Sequence, residues 1–365
     1  MNGRAGQRIF DFASLVLNSR LLIVDGHAYA YRAFHAIREL RAPTGQPTNA
    51  IYGFIKMLAK MRATLAPTHL IVVWDGGLSA ERVTALPEYK AQRPEMPADL
   101  GLQIDEIMRY LEAANLASLC REGVEADDYI ACLARRAFDA NLEVVIASSD
   151  KDFMQLVTQE VPGARGQVSG EGTSHLIPDT SHIAPVSRIG LLNPNDKTET
   201  VWTADQVRAK TGVEPSQIVD WLSLIGDSVD NIPGVPGVGP KTATDLLRQF
   251  GSVTVLYGRL HEVASERLRN ALTAAAGAVR RNRELVRLRE DLPCEFSPDE
   301  MADKPADADR LAALFRQWGF RSLLAELESG KVSGAKDQVS GERGSNLTPD
   351  TPHPTPSQGG QPVLL

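Results

Sequence analysis

No run of eighteen apolar residues occurs anywhere in the chain, so no membrane-spanning helix is expected. The first twenty residues lack the apolar core and small-residue cleavage site of a secretory signal, because Arg4, Arg8 and Asp11 interrupt their short apolar pieces. Cysteine is scarce. The three present, Cys120, Cys132 and Cys294, are odd in number and none pairs at C-x-x-C spacing. That excludes a disulfide framework and a structural zinc site, and it makes a reducing cytoplasm the expected compartment. A basic excess is missing as well: 39 Lys and Arg stand against 46 Asp and Glu, for a net charge of −7. Taken alone this argues against a nucleic-acid binder. The objection fades if many of the acids gather in one metal site. Finally, there is neither a G-x-x-x-x-G-K-[ST] loop for a nucleoside triphosphate nor an H-E-x-x-H zinc helix.

What is present fits a soluble α/β protein of two modest domains in 365 residues, 43% of them hydrophobic. Three short apolar runs, Leu21–Val24, Leu70–Trp74 and Val144–Ala147, read as buried parallel strands. Helical spacing of apolar residues predicts helices over Ile51–Leu65, Leu102–Ala113 and Asp127–Ala140. Strands alternating with helices predict a mostly parallel sheet over residues 20–202. From about Thr203 the strand signals stop. Trp221–Val263 reads as short helices joined by Gly/Pro turns, and Ala271–Leu288 as one longer Ala- and Arg-rich helix, so residues 203–328 are expected to form a helical domain. Two low-complexity stretches, within about 163–188 and the tail 329–365, repeat each other: Gln167-Val168-Ser169-Gly170-Glu171 recurs as Gln338-Val339-Ser340-Gly341-Glu342. Both read as disordered, inserted sequence that activity does not need.

The chemistry rests on acids. Each predicted strand ends in an aspartate: Asp25, Asp75 and, after a Ser-Ser step, Asp150. In an open parallel sheet the carboxyl ends of the strands form the ligand rim. Glu125, Asp127 and Asp128 open a predicted helix, Asp152 follows Asp150, and Asp227 and Asp230 flank a turn before Pro233. Nine converging acids would repel one another, and divalent cations relieve that repulsion. An oxygen-only ligand set without His or Cys favours hard ions, Mg²⁺ or Mn²⁺. Two such ions about 3.5–4 Å apart suit hydrolysis of a phosphodiester.

These residues carry a resemblance. Leu22-Ile23-Val24-Asp25-Gly26, Tyr31-Arg32-Ala33-Phe34-His35-Ala36, Pro87-Glu88-Tyr89-Lys90-Ala91, Glu122-Gly123-Val124-Glu125-Ala126-Asp127-Asp128, Ser149-Asp150-Lys151-Asp152 and the long Gly226–Gly239 motif closely resemble the 5′-nuclease domain of bacterial DNA polymerase I and its flap-endonuclease relatives. The resemblance runs from about Leu21 to Pro293. It implies a PIN-like α/β domain followed by a helix-three-turn-helix DNA-binding domain. It places Asp25, Asp75, Glu125, Asp127 and Asp128 around one metal ion, with Asp150, Asp152, Asp227 and Asp230 on the other side of the site.

The resemblance further implies that Lys90 and Arg93 lie on a helical arch, where they steady the scissile phosphate. It gives Arg32 and Arg82 phosphate-facing roles. Tyr89 stacks on an unpaired base or packs within the arch. Gly234, Gly237 and Gly239, with Lys241 and Thr242 at a helix start, grip the duplex backbone, with K⁺ bound there. Four positions depart from the common pattern: Ser79 and Glu81 replace a Lys and a Phe, His27 stands where Ser is common, and Asn49 replaces a Gly. The expected protein is a monomeric, stand-alone 5′→3′ exonuclease and flap endonuclease that acts on DNA flaps, nicks and 5′ ends in replication and repair, with a DNA polymerase as a candidate partner. The rival readings are a non-cleaving DNA-junction binder and an RNA-processing nuclease.

Overall fold

The structure is a computed structural model that describes residues 19–158, 188–196, 198 and 200–330. Both copies of the repeat, residues 167–171 and 338–342, fall outside the described residues. A six-stranded sheet organises the N-terminal half, in the order β3-β2-β1-β4-β5-β6. Its strands are β1 (Arg20–Asp25), β2 (His69–Trp74), β3 (Ala117–Cys120), β4 (Glu143–Ala147), β5 (Ile189–Leu192) and β6 (Val201–Trp202). All neighbours run parallel except β5 and β6. The central strands are buried on both faces, which is why they read as unbroken apolar runs.

Alternate residues of each strand serve opposite faces. Leu22, Val24, Leu70, Val72 and Trp74 pack under α1 (Gly26–Ala36), α2 (Asn49–Leu65) and, past the short α3 (Ala80–Ala85), α4 (Ala98–Ala113). Leu21, Ile23, Ile71 and Val73 pack under α5 (Ala126–Asp139). On that second face the core runs without a break into the helical region, which holds α6 (Ala204–Thr211), α7 (Ile218–Ile225), α8 (Pro240–Phe250), α9 (Val253–Gly258), α10 (Glu266–Ala274) and α11 (Ala276–Val286).

Three details differ from the sequence expectations. Ala271–Leu288 is not one helix, since the chain leaves helical geometry at Ala275 between α10 and α11. A two-residue antiparallel ladder, β7 (Gly226–Asp227) with β8 (Ile232–Pro233), lies within the region read as short helices joined by turns. After the four-residue α12 (Pro298–Met301), α13 (Ala308–Trp318) and α14 (Arg321–Glu328) return to the first sheet face, where Leu311, Phe315, Trp318 and Leu323 join the core of α2 and α4.

No helix among the described residues is long and apolar enough to cross a membrane. The register aligns Asp25 with Val73 and Val24 with Ala147, so β1, β2 and β4 end at one level. Asp25, Asp75 and Asp150 therefore reach the same rim.

Candidate metal and nucleic-acid site

A cavity of about 370 Å³ opens on that rim, lined by Asp25, Asp75, Asp127, Asp150, Asp227 and Asp230 together with His27, Tyr31, Arg93 and Lys151. The acids that follow the strands, Asp25, Asp75 and Asp150, are aimed by local hydrogen bonds. Asp25 caps α1 by accepting from the Ala28 amide at 3.0 Å, and its other oxygen accepts from the Ser148 hydroxyl at 2.8 Å. The Ser148 oxygen in turn accepts the Asp150 amide at 3.1 Å, so one buried hydroxyl joins two strand-end acids. Asp150 accepts the Asp152 amide at 2.8 Å at the start of a 3₁₀ turn, Lys151–Leu156. The Asp75 carboxylate accepts the Gly77 amide at 2.9 Å, and the Asp75 amide donates to His27 Nδ1 at 3.1 Å.

Burial and charge crowding act together on Asp25, Asp127 and Asp152. Burial, with the charges of Asp150 and Asp75 added, pushes the Asp25 carboxyl up to about 6. Burial and then Asp150 raise Asp127 well above the ordinary carboxylate range, and burial followed by Asp150, Asp227 and Asp230 does the same to Asp152. Asp152, Asp227 and Asp230 each bring one carboxylate oxygen within 4.8 Å of the others. Asp152 Oδ1 is buried with no hydrogen-bond partner. An unpaired buried acceptor is costly and calls for a ligand. The orphaned oxygen, the raised acids and the oxygen-only donor set all fit divalent cations.

In this structure protein cations offset part of the charge. The Lys90 ammonium bonds Glu125 and lies 3.9 Å from both Asp127 and Asp230. Burial alone would lower its pKa, but Asp127, Glu125 and Asp230 outweigh burial and raise it. Arg93 pairs with Asp230 at 2.6 Å, and Lys151 with Asp227 at 3.0 Å. The Lys90 backbone is left-handed (φ 55°), a conformation a lysine adopts only when its surroundings impose it. The surroundings here are the hydrogen bonds from Lys90 N to Asp230 O (3.0 Å) and from Asn231 Nδ2 to Glu88 O (2.9 Å), which strap residues 88–93 to the hairpin carrying Asp227 and Asp230.

Four sequence expectations change at this level. Arg82 does not face solvent. It is buried, bonds both oxygens of Asp128 (2.8 and 2.7 Å), and also reaches Glu125 at 3.1 Å and the Arg287 carbonyl at 3.0 Å. Asp128, which also accepts the Arg289 amide, is thereby turned away from the cavity. Glu125 is 1% exposed and spends its oxygens on Ser79, Tyr89, Lys90 and Arg82; against the effect of burial, Lys90, Arg82 and the Ser79 amide hold it below the usual carboxylate range. Tyr89 is 3% exposed, its hydroxyl donating to Glu125 at 3.1 Å and lying 3.4 Å from Asp230. It packs inside the 87–93 segment, and the base-stacking alternative gives way to that packing.

Arg32 is exposed, bonded to Asn195 at 2.6 Å, and lines a separate cavity of about 150 Å³ with Tyr29, Met57 and Lys60. Gly234 to Gly239 turn into the N-terminus of α8, with Gly237 left-handed (φ 81°). Gly237, Gly239 and Lys241 are exposed there, and Thr242 is half-buried. Sequence reasoning missed Ser148 as the link between Asp25 and Asp150. The available signal was the register: Ser148 follows Ala147, which pairs with Val24 beside Asp25.

A mostly parallel α/β sheet with an acid-lined carboxyl rim, continued by a helical region, defines an α/β protein with a metal-ready site. Comparison with known proteins agrees. Residues 20–176 match the family model described as the 5′-3′ exonuclease N-terminal resolvase-like domain, and residues 213–309 match the 5′-3′ exonuclease C-terminal SAM fold. A 5′-3′ exonuclease of Aquifex aeolicus is 35% identical over 308 residues, which cover 84% of this chain and 95% of the relative. The chain belongs to the 5′-3′ exonuclease family.

DNA polymerase I of Bacillus caldotenax is 36% identical over 313 residues, or 86% of this chain but 33% of the polymerase, so the chain spans about a third of that relative. Among solved structures, a bacteriophage T5 flap endonuclease in complex with DNA and metal ions shares the fold, with a TM-score of 0.56 at 21% identity over 85% of this chain and 99% of that one. The catalytic core of Rad2 in complex with DNA substrate has a TM-score of 0.56 at 15% identity, over 89% and 99% of the two chains.

Proposed function

We propose that this protein is a structure-specific 5′→3′ exonuclease and flap endonuclease that hydrolyses DNA phosphodiesters with Mg²⁺ or Mn²⁺. The observation that carries the reading is the rim cavity, where seven aspartates come together around a buried carboxylate oxygen without a partner, beside cations poised to release them. Asp25, Asp75, Asp127 and Asp150 would hold one ion, and Asp152, Asp227 and Asp230 a second. When bound, the ions would supply charge for the attacking water and the leaving 3′-oxygen. Glu125 and Asp128, engaged by Lys90 and Arg82, act from behind these ligands.

The protein's own groups do the rest. Arg93 and Lys151 stand at the cavity wall, where they can exchange their carboxylate partners for a phosphate. Lys90 holds the acids together until it does the same. The exposed backbone at Gly237 and Gly239 and the start of α8 offer a backbone grip for a duplex, with Lys241 and Thr242 beside it and K⁺ as the bound monovalent ion. Phosphate and backbone contacts of this kind read structure rather than sequence. The biological setting we propose is primer and flap removal in the cytoplasm during replication and repair, by a monomer working beside a DNA polymerase.

The test is a labelled 5′-flap duplex incubated with the protein in Mg²⁺ and in EDTA, beside an Asp150→Ala variant. Cutting near the flap junction that needs metal and is lost in the variant is the expected result. Tight binding without cutting in Mg²⁺ or Mn²⁺ would replace the nuclease by a junction-binding protein.

A further inference from the structure

We propose that His27 is a positioning residue for Asp75, and that its Nδ1 atom is the part that matters. The proposal rests on the reading of the rim acids as metal ligands. Asp25, Asp127, Asp150 and Asp227 stand on or cap regular elements, which fixes their backbones. Asp75 does not. It follows the last residue of β2, and the β1–β2 pairing ends at Asp25 and Val73. On its other side β2 pairs with β3 only as far as Trp74 and Cys120, and the Asp75 amide is bonded to His27 Nδ1 at 3.1 Å. The carboxylate is then turned by the Gly77 amide at 2.9 Å.

The imidazole can serve as that fixed acceptor because it is itself held. His27 is the second residue of α1, directly after the cap Asp25. Its ring meets Trp74 edge-on, with centroids 5.4 Å apart and planes at 85°. A ring that accepts at Nδ1 is neutral and carries its proton on Nε2. The His27–Asp75 hydrogen bond thus ties the first turn after β1 to the first residue after β2, and so sets the spacing of two rim acids across adjacent strands.

Amide side chains separate this role from bulk packing. In Asn the side-chain oxygen falls near the place of Nδ1, whereas in Gln the amide reaches toward Nε2 and leaves the Asp75 amide unpaired. The experiment measures Mn²⁺ binding by calorimetry on the full chain, for wild type, His27→Asn, His27→Gln and His27→Ala, with melting curves in EDTA and cleavage kinetics on a flap duplex. Groups behind metal ligands change affinity or activity about 10–100-fold when removed. We expect His27→Ala and His27→Gln to weaken Mn²⁺ binding about tenfold and to lower kcat with KM for DNA unchanged, and His27→Asn to stay within about threefold of wild type. Wild-type Mn²⁺ affinity in His27→Ala would overturn the proposal, whether or not the melting temperature falls. So would an Asn variant no better than Ala. A wild-type protein that binds no Mn²⁺ would overturn the metal reading itself, and this role with it.

Discussion

An Arg82→Leu substitution deletes a guanidinium that is almost wholly out of water. The side chains of Arg82 and Asp128 are 8% and 3% exposed, and the pair is bidentate, with Glu125 and the Arg287 carbonyl as further partners. The leucine leaves Asp128 buried with only the Arg289 amide, and leaves Glu125 with one cation fewer. Removing one member of a buried ion pair costs about 3–5 kcal/mol, because the remaining charge has lost both water and partner. At about 2–4 °C per kcal/mol for a protein of this class, the melting temperature in EDTA should fall by on the order of 10 °C. Asp128→Leu alone should cost a similar amount. The double variant should be more stable than either single one, since no buried charge is then left alone. Urea unfolding of the four proteins measures this, with flap-duplex binding recorded below the transition. If Arg82→Leu unfolds within about 1 kcal/mol of wild type but binds DNA markedly more weakly, Arg82 contacts phosphate and the buried-pair argument fails.

Lys90→Met removes the ammonium that links Glu125, Asp127 and Asp230. Its side chain is 2% exposed, so in EDTA the loss should again be about 3–5 kcal/mol, and Mg²⁺ should recover most of it; equal melting with and without Mg²⁺ would contradict the charge argument. The metal-free protein should lose stability with rising pH. Asp25 titrates near 3.8 unfolded and about 6 folded, so the folded state binds the extra proton, and the stability present below about pH 4 disappears as pH rises through about 6. Saturating Mg²⁺ should flatten that fall in melting temperature, because cations favour the charged acids. Gly226→Ala should damage the hairpin that carries Asp227 and Asp230: Gly226 has φ 75°, and a Cβ there would lie 2.4 Å from the Gly234 nitrogen. A destabilisation of about 1–3 kcal/mol with weaker Mn²⁺ binding is expected by chemical unfolding and calorimetry.

The strands that carry Asp25, Asp75 and Asp150 were legible because strands buried on both faces must be apolar throughout, as Leu21–Val24 and Val144–Ala147 are. Their common direction followed from the alternating helices, and with it the convergence of three acids. Other elements left no such trace. Ala117–Cys120 is an edge strand of alternating half-exposed and exposed residues, and Ile189–Leu192 contains Gly190, packed so closely that a Cβ would meet Val201 at 2.4 Å. The break at Ala275 falls within an Ala-rich run, and the nearest breaker residue, Gly277, lies inside the following helix rather than at the break.

Within the site, acid positions were readable one by one, but their partners were not. Arg82 and Asp128 lie 46 residues apart, and a lone Arg looks the same whether it faces phosphate or a buried carboxylate. The same holds for Tyr89, whose partners Glu125 and Asp230 come from a helix start and a distant hairpin. Ligand type was legible from composition; which acids face the cavity, and which are locked behind it, was set by packing.

The most direct test of the central claim is to locate Mn²⁺ by anomalous diffraction from crystals grown with the ion. The account predicts two peaks about 3.5–4 Å apart in the rim cavity, one near Asp25, Asp75, Asp127 and Asp150 and the other near Asp152, Asp227 and Asp230, with Lys90 and Arg93 moved off their carboxylates. Mn²⁺ absent from the cavity at saturating concentration, with Lys90 still bonded to Glu125, would contradict it.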